Sequence, residues 1–259
     1  MYAREKGINS MEQYSSMNEE NSCCLQFTGG RDSTLTAIHL IEKYQMKTLH
    51  LLTFQTDLMT DIDKVYKNVE KLEEYFRKKA RINHHLLDTN QLLRDLVQKN
   101  YFHDLIQFKT YNAATFCPSC RLSHHANTII FCKINGVGNS ADGVNELTGF
   151  DLFQQEWAVD MVRQLYKEYG ISYHTPLLHQ KTSSEVLLEE YNEKNALDNP
   201  FYEEQPRCIG GGQFHNLYLR CYYLPLKGKQ AYIEVSKKWI AKKLPFIREY
   251  IDRALREKL

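Results

Sequence analysis

No apolar run in the 259 residues approaches the roughly 20 that a membrane-spanning helix requires, so the sequence argues against a membrane partner. Nor is there an excess of charge of one sign. Lys and Arg total 33 against 32 Asp and Glu, and the formal net charge is +1. That balance gives the molecule as a whole no strong attraction to nucleic acid or to a lipid surface. The first 20 residues, MYAREKGINSMEQYSSMNEE, lack an apolar h-region, so no signal peptide is expected and residues 1–20 read as a loose leader. There is no internal repeat and no low-complexity stretch. Seven cysteines, an odd count without an export signal, favour a reducing, cytoplasmic setting. There, thiols serve as core fillers, metal ligands or reactive groups. The length suffices for one large α/β domain or two small ones with a real core.

What is present is an alternation of two periods. CCLQFT (23–28), KTLHLLTFQT (47–56) and INHHLLD (82–88) read as strands. Between and after them, STLTAIHLIEKY, DIDKVYKNVEKLEEYFRKK (61–79) and NQLLRDLVQK carry helical spacing. SCRLSHHANTIIFCKING (119–136) reads as a helix stopped by Gly136, and NSADG as a short strand end and turn. DLFQQEWAVDMVRQLYKEYG (151–170) is a helix ended by glycine. ISYHTPLL reads as a strand, and TSSEVLLEEYN as a capped helix. Alternating strands and helices imply parallel pairing, hence a doubly wound α/β sheet. From about residue 195 the chain turns irregular, with NPFYEEQPRCIGGGQFHN, and then ends in a basic tail from about Tyr232. That tail is expected to be helical, bent or broken at Pro245. Its lysines and arginines fit a solvated helix face better than an RNA-docking surface. The division is a leader (1–20), a nucleotide-binding α/β domain (21–200), and a cysteine- and glycine-bearing loop with a helical C-terminal extension (201–259).

TGGRDS (28–33) sits where the first strand ends and the first helix starts, the strand edge at which α/β sheets bind ligands. Gly29 and Gly30 allow close backbone approach to an anion, and the helix start offers N–H groups and the positive end of its dipole. Arg31, Ser33 and Thr34 add side-chain donors. The loop is neither G-x-G-x-x-G nor a Walker A loop, since no GK[ST] follows. Asp142 and Gly143 fall at a later strand end on the same edge, where a carboxylate could hold Mg²⁺ or position a substrate; an Asp-Gly turn is the plain alternative. Cys117-Pro118-Ser119-Cys120 is a C-x-x-C pair followed by Arg121. Such a pair can chelate a metal, form a redox disulfide, or occur by coincidence at a helix start. Two thiols do not close a structural zinc site, so for a metal further ligands must come from elsewhere, among Cys208, Cys132, Cys221, His124 and His125. Cys23, Cys24 and Cys132 read as core, Cys221 as a buried strand residue, and Cys208 as a thiol presented on a flexible loop. His84 and His85 read as structural, His124 and His125 as a solvated helix face, and His174 as a weak pocket residue.

TGGRDS resembles the SGGxDS signature of the PP-loop (adenine nucleotide alpha-hydrolase-like) superfamily, with Thr28 keeping the hydroxyl of the usual serine. The resemblance covers about residues 22–180. It implies a HUP/PP-loop-type fold and an enzyme that binds ATP with Mg²⁺, adenylates a substrate oxygen and releases pyrophosphate. Phe27, Thr28, Gly29, Gly30, Arg31, Asp32, Ser33 and Thr34 would surround the phosphates, Asp32 orienting the loop or contacting the metal. Thr53, Phe54 and Gln55 would edge the adenine, with Gly143 nearby. Cys117, Cys120 and Cys208 are similar in order and spacing to the three cysteines that hold a [4Fe–4S] cluster in TtcA- and TtuA-type tRNA thiolases. CPSCR and Asp142-Gly143-Val144-Asn145 are similar to the C-x-x-C-[KR] and DGTN segments of LarE-type sulfurtransferases. The implied reaction is sulfur transfer, with sulfide or a persulfide on Cys208 as donor, Cys208 and Asp142 in catalytic roles, and a tRNA or a small metabolite as acceptor. A zinc ion at the thiols, an amidotransferase of the 7-cyano-7-deazaguanine synthase type and a non-catalytic nucleotide-binding module remain alternatives, and a homodimer is an open assembly. Arg31 departs from the thiolases, which usually carry lysine there. The extra zinc-finger cysteine pairs of some thiolases and the C-terminal cysteine cluster of the deazaguanine synthases have no counterpart.

Overall fold

The computed structural model describes residues 21–148, 152–202, 205–209 and 217–258. The expected leader and the glycine run at 210–212 lie outside the described residues. The strands are β1 (Ser22–Gln26), β2 (Thr48–Gln55), β3 (Met59–Thr60), β4 (Arg81–Asp88), β5 (Asn139–Asp142), β6 (Ser172–His174) and β7 (Arg207–Cys208). The helices are α1 (Arg31–Glu42), α2 (Lys64–Phe76), α3 (Asn90–Val97), α4 (Tyr101–Phe108), α5 (Phe116–Asn135), α6 (Glu156–Glu168), α7 (Ser184–Lys194) and α8 (Leu224–Lys258). Five strands form one sheet in the order β4-β2-β1-β5-β6, every pair parallel. The fold is therefore α/β, a doubly wound parallel sheet with a helical C-terminal extension. Among the described residues no helix is long and apolar enough to cross a membrane.

The period-2 alternation of β1 decides the two layers. Cys23, Leu25 and Phe27 pack with residues of α1, α2 and α7; Cys24 packs on the opposite face with residues of α3, α5, α6 and α8. Each face is thus covered by helices, as a parallel sheet requires. From β1 the chain moves outward to β2 and β4, then returns to place β5 on the other side of β1. That reversal between β1 and β5 is the topological switch point, the position outside the carboxyl strand ends at which open α/β sheets bind ligands.

Four expectations are corrected. ISYHTPLL pairs only over Ser172–His174. Beyond it, Leu178 N–H bonds back to the Thr175 carbonyl across Pro176, and proline cannot donate to a ladder. The tail is not broken at Pro245. Helix α8 runs through that proline, and its non-helical backbone is at Gly228 (φ 83°). The buried face of Trp239, Ile240, Leu244, Ile247 and Ile251 holds the helix together where proline removes one hydrogen bond. Cys221 is not in a strand: it lies in a π-helical turn, Leu219–Tyr223, and is exposed. His125 is not solvated but 1% exposed, and His124 stacks on Phe54 with ring centroids 4.4 Å apart.

Candidate nucleotide and thiol site

The loop from Phe27 to Gly30 is held from below and behind. Phe27 N–H donates to the Leu52 carbonyl at 2.8 Å, and the Thr53 hydroxyl donates to the Phe27 carbonyl at 2.7 Å. His84 Nε2 lies 2.9 Å from the same hydroxyl oxygen. The Thr53 proton is already committed, so His84 must donate from Nε2. Burial pushes its pKa down to about 4, so the ring is neutral near pH 7. Gly29 adopts φ 73°, a left-handed conformation that glycine tolerates without penalty. Helix α1 begins at Arg31 with Gly30 as its N-cap and no side-chain cap. Inside the loop, the Thr28 N–H reaches Ser33 Oγ and the Gly30 N–H reaches Thr28 Oγ1, both at 3.3 Å. These are long bonds to hydroxyls, of the sort a phosphate oxygen can replace.

Not every expected loop residue faces one ligand. Arg31 forms an ion pair with Glu185 at 2.9 Å, at the start of α7. Thr34 is fully buried. Asp32 accepts a 2.5 Å hydrogen bond from the Ser184 hydroxyl, and Asn145 Nδ2 donates to Ser184 Oγ at 3.4 Å. Asp32 is thus tied to α7 and, through Ser184, to the segment after β5. Gln55 is exposed, Thr53 lies under the loop, and Phe54 is buried beneath His124.

Asp142 and Gly143 meet the loop across the switch point. A Cβ on Gly143 would stand 2.9 Å from both the Asp32 carbonyl carbon and the Ser33 nitrogen. Those are backbone atoms of the first turn of α1, which cannot rotate away. Gly143→Ala is therefore expected to displace that turn, destabilising the fold by about 1–3 kcal/mol. Urea unfolding against wild type measures it. Asp142 is buried and accepts from Arg121 at 2.8 Å and from the Tyr173 hydroxyl at 3.3 Å. Burial raises its pKa, and Arg121 opposes the rise. Arg121 follows the C-x-x-C pair directly. The CPSCR segment and the DGVN segment, 20 residues apart, are thereby joined through one ion pair.

The thiols lie at the same edge. Helix α5 starts at Phe116, so Cys117 and Cys120 are in its first turns, both partly exposed. Cys120 Sγ sits 3.3 Å from His124 Nε2. Burial pushes the Cys120 thiol up to about 12, with a further rise from Cys208 and an opposing pull from Arg121. Burial and then Arg121 push His124 down to about 3, so it is neutral. Cys208 arrives by a separate device. Strand β7 pairs antiparallel with β3, Met59 opposite Cys208, and the Ile209 N–H donates to the Leu58 carbonyl at 2.9 Å. This brings an exposed thiol from residue 208 to the turn following β2. Cys23, Cys24 and Cys132 are fully buried in the core.

Thiolates are soft ligands that suit a soft metal centre, whereas the burial that raises the Cys120 pKa opposes the deprotonation that ligation requires. As placed, however, no group of three or more His, Cys, Asp and Glu among the described residues is gathered tightly enough to hold a metal ion. Cys208 would have to close on the C-x-x-C pair.

Sequence reasoning passed over Asn68, Ser184 and Gln205, all of which touch the loop or its supports. Ser184 carried a signal in the TSSE helix start, as Asn145 did in the DGVN segment. Asn68 and Gln205 are single polar residues whose role depends on which segment packs beside them.

No protein-family model matches the chain, and no curated protein matches it. Among solved structures, the chain is similar to the U34-tRNA thiolase NcsA from Methanococcus maripaludis with its [4Fe–4S] cluster. The identity is 16% and the TM-score 0.47, covering 89% of this chain and 77% of that one. It is also similar to a predicted subunit of tRNA methyltransferase from Methanocaldococcus jannaschii, at 18% identity and a TM-score of 0.40, covering 73% of this chain and 96% of that one.

Proposed function

We propose that the protein is an ATP-dependent sulfurtransferase. The observation that carries this reading is the Arg121–Asp142 pair, which joins the C-x-x-C helix start to the strand end beside the TGGRDS loop, with Cys208 delivered to the turn after β2 by the β3–β7 pairing. MgATP would lie at the switch point, its phosphates on the Phe27–Ser33 loop and its adenine against the end of β2. A substrate oxygen attacks the α-phosphorus, the bond to pyrophosphate breaks, and an adenylate forms. Amide groups of the loop stabilise the charge that moves onto the departing pyrophosphate. A sulfur nucleophile then attacks the activated carbon, and AMP leaves with the oxygen. Cys117, Cys120 and Cys208 would hold a [4Fe–4S] cluster, which when bound supplies an iron position for a sulfide donor. Without a cluster, Cys208 would take its outer sulfur from a persulfide-carrying donor, that sulfur would displace AMP, and a second thiol would then attack Cys208 Sγ, breaking the S–S bond to release the thiolated product and leaving a disulfide for an external thiol to reduce.

The acceptor best supported is RNA. Segments 98–110 and 217–231 meet through the 3-10 turn Lys109–Ala114, where the Tyr218 hydroxyl donates to the Thr110 carbonyl. They expose Tyr101, Phe102, Ile106, Tyr222 and Leu226 beside Lys109, Arg220, Lys227 and Lys229. Their sole acidic residue, Asp104, is buried and paired with Lys242 and Lys243. Aromatic side chains among cations, contiguous with the start of α5, suit phosphates and unstacked bases.

The test combines three measurements on anaerobically prepared protein. Pyrophosphate release from ATP should require an added acceptor, with tRNA expected to serve and small thiolation substrates not. The protein should be brown, with iron and sulfide in cluster stoichiometry. Cys208→Ala should abolish thiolation and lose the cluster. A colourless protein with stoichiometric zinc defeats the cluster assignment, and absence of ATP binding defeats the enzyme reading.

A further inference from the structure

We infer that Asn68 is the positioning residue that sets the anion-binding face of the glycine loop. The inference rests on the proposal that this loop binds nucleotide phosphates. Asn68 lies on α2, is 0% exposed, and is far in sequence from every motif discussed above. Its Nδ2 donates to the Gly29 carbonyl at 2.9 Å and to the Tyr202 carbonyl at 2.7 Å, and approaches Thr34 Oγ1 at 3.4 Å. All three acceptors face the nitrogen, which fixes the orientation of the carboxamide.

The consequence follows from peptide geometry. In a planar trans peptide the carbonyl of one residue and the N–H of the next point in opposite directions. By holding the Gly29 carbonyl, Asn68 turns the Gly30 N–H the other way. There its partner is Thr28 Oγ1 at a long 3.3 Å. Gly29 is at φ 73° and has no side chain, so its own backbone preference fixes the peptide weakly. The Asn68 amide supplies that constraint. An oxygen already lies against the loop at this point: Gln205 Oε1 is 2.6 Å from where a Cβ of Gly30 would stand. Gln205 belongs to the same stretch that Asn68 grips at Tyr202, and that stretch continues to Cys208 in β7. One buried amide therefore holds both the loop and the near end of the segment that carries the thiol.

The experiment compares MgATP with adenosine, which shares the base and ribose but carries no phosphate. Dissociation constants are measured by ligand-observed NMR for wild type, Asn68→Asp and Asn68→Ser. The Asp variant is isosteric but presents only acceptors to two carbonyls; the Ser variant is too short to reach them. MgATP binding is expected to weaken about tenfold or more in each folded variant, with adenosine binding within about twofold of wild type. Equal loss for both ligands would mark a general collapse of the site, and no loss for either would show that the loop needs no such hold; each overturns the inference. Should Asn68→Asp fail to fold, Asn68→Ser carries the comparison. Wild-type protein that binds no MgATP instead defeats the functional proposal, a result distinct from any variant-specific loss.

Discussion

Replacing Arg121 with methionine should destabilise the protein by about 3–5 kcal/mol, because it leaves a buried carboxylate without its counter-charge. Asp142 is 4% exposed at the end of β5 and has two side-chain partners, Arg121 and Tyr173. Removing the guanidinium removes the opposing pull that limits the rise of the Asp142 pKa. The pH dependence has a definite sign. A carboxyl whose folded pKa lies above its unfolded value binds more protons in the folded state, so stability is lost as pH rises. The Arg121→Met protein should be closest to wild type near pH 4, below which the carboxyl is neutral in both states, and should fall behind as pH climbs towards 8. Urea unfolding at several pH values measures this, and a constant difference across that range would remove Asp142 as the cause. A second readout addresses chemistry. Arg121 opposes the elevation of the Cys120 pKa. Without it that thiol should alkylate several-fold more slowly, because the thiolate is the reactive form.

The sheet was legible because its strands and helices carry different hydrophobic periods, and the TGGRDS position at a strand–helix junction followed from the same pattern. The thiols were legible in part. C-x-x-C is local, but the device that delivers Cys208 is a pair of two-residue strands, Met59–Thr60 and Arg207–Cys208, too short to impose a period. His124 and His125 were misread as solvated for a related reason. They follow CPSCR on a helix whose buried positions extend around most of its circumference, including Ser119, Ser123 and Thr128. A helix buried through small polar residues has no sharp apolar stripe to betray which side faces in. The polar groups that hold the loop, Asn68 and Ser184, act across 39 and 152 residues respectively, and no spacing rule reaches that far.

The basic tail shows most directly why charge alone was ambiguous. Read as sequence, Lys242 and Lys243 belong to a cationic helix with no stated partner. In the fold they converge on Asp104 of α4, at 2.8 Å and 2.5 Å, and Lys243 also donates to the Leu96 carbonyl. Further along, Arg248 makes two hydrogen bonds to Glu168, and Lys237 lies over the Trp157 ring. Four of the tail's cations thus fasten α8 to the domain. Asp104→Ala should therefore act on stability, at a cost of about 3–5 kcal/mol, because it strands Lys243, 2% exposed, as an uncompensated buried ammonium. Burial lowers the Lys243 pKa, and Asp104 is the main influence raising it back. In the variant the folded pKa drops further below the unfolded value, so the folded state binds fewer protons and stability increases with pH. The deficit should narrow between pH 7 and about pH 10, the opposite sign to Arg121→Met. Asp104→Asn, which keeps an oxygen acceptor for the ammonium but not the charge, should fall between the two. Equilibrium unfolding of both variants across that range checks the assignment, and an Asp104→Ala deficit that widens with pH would refute it.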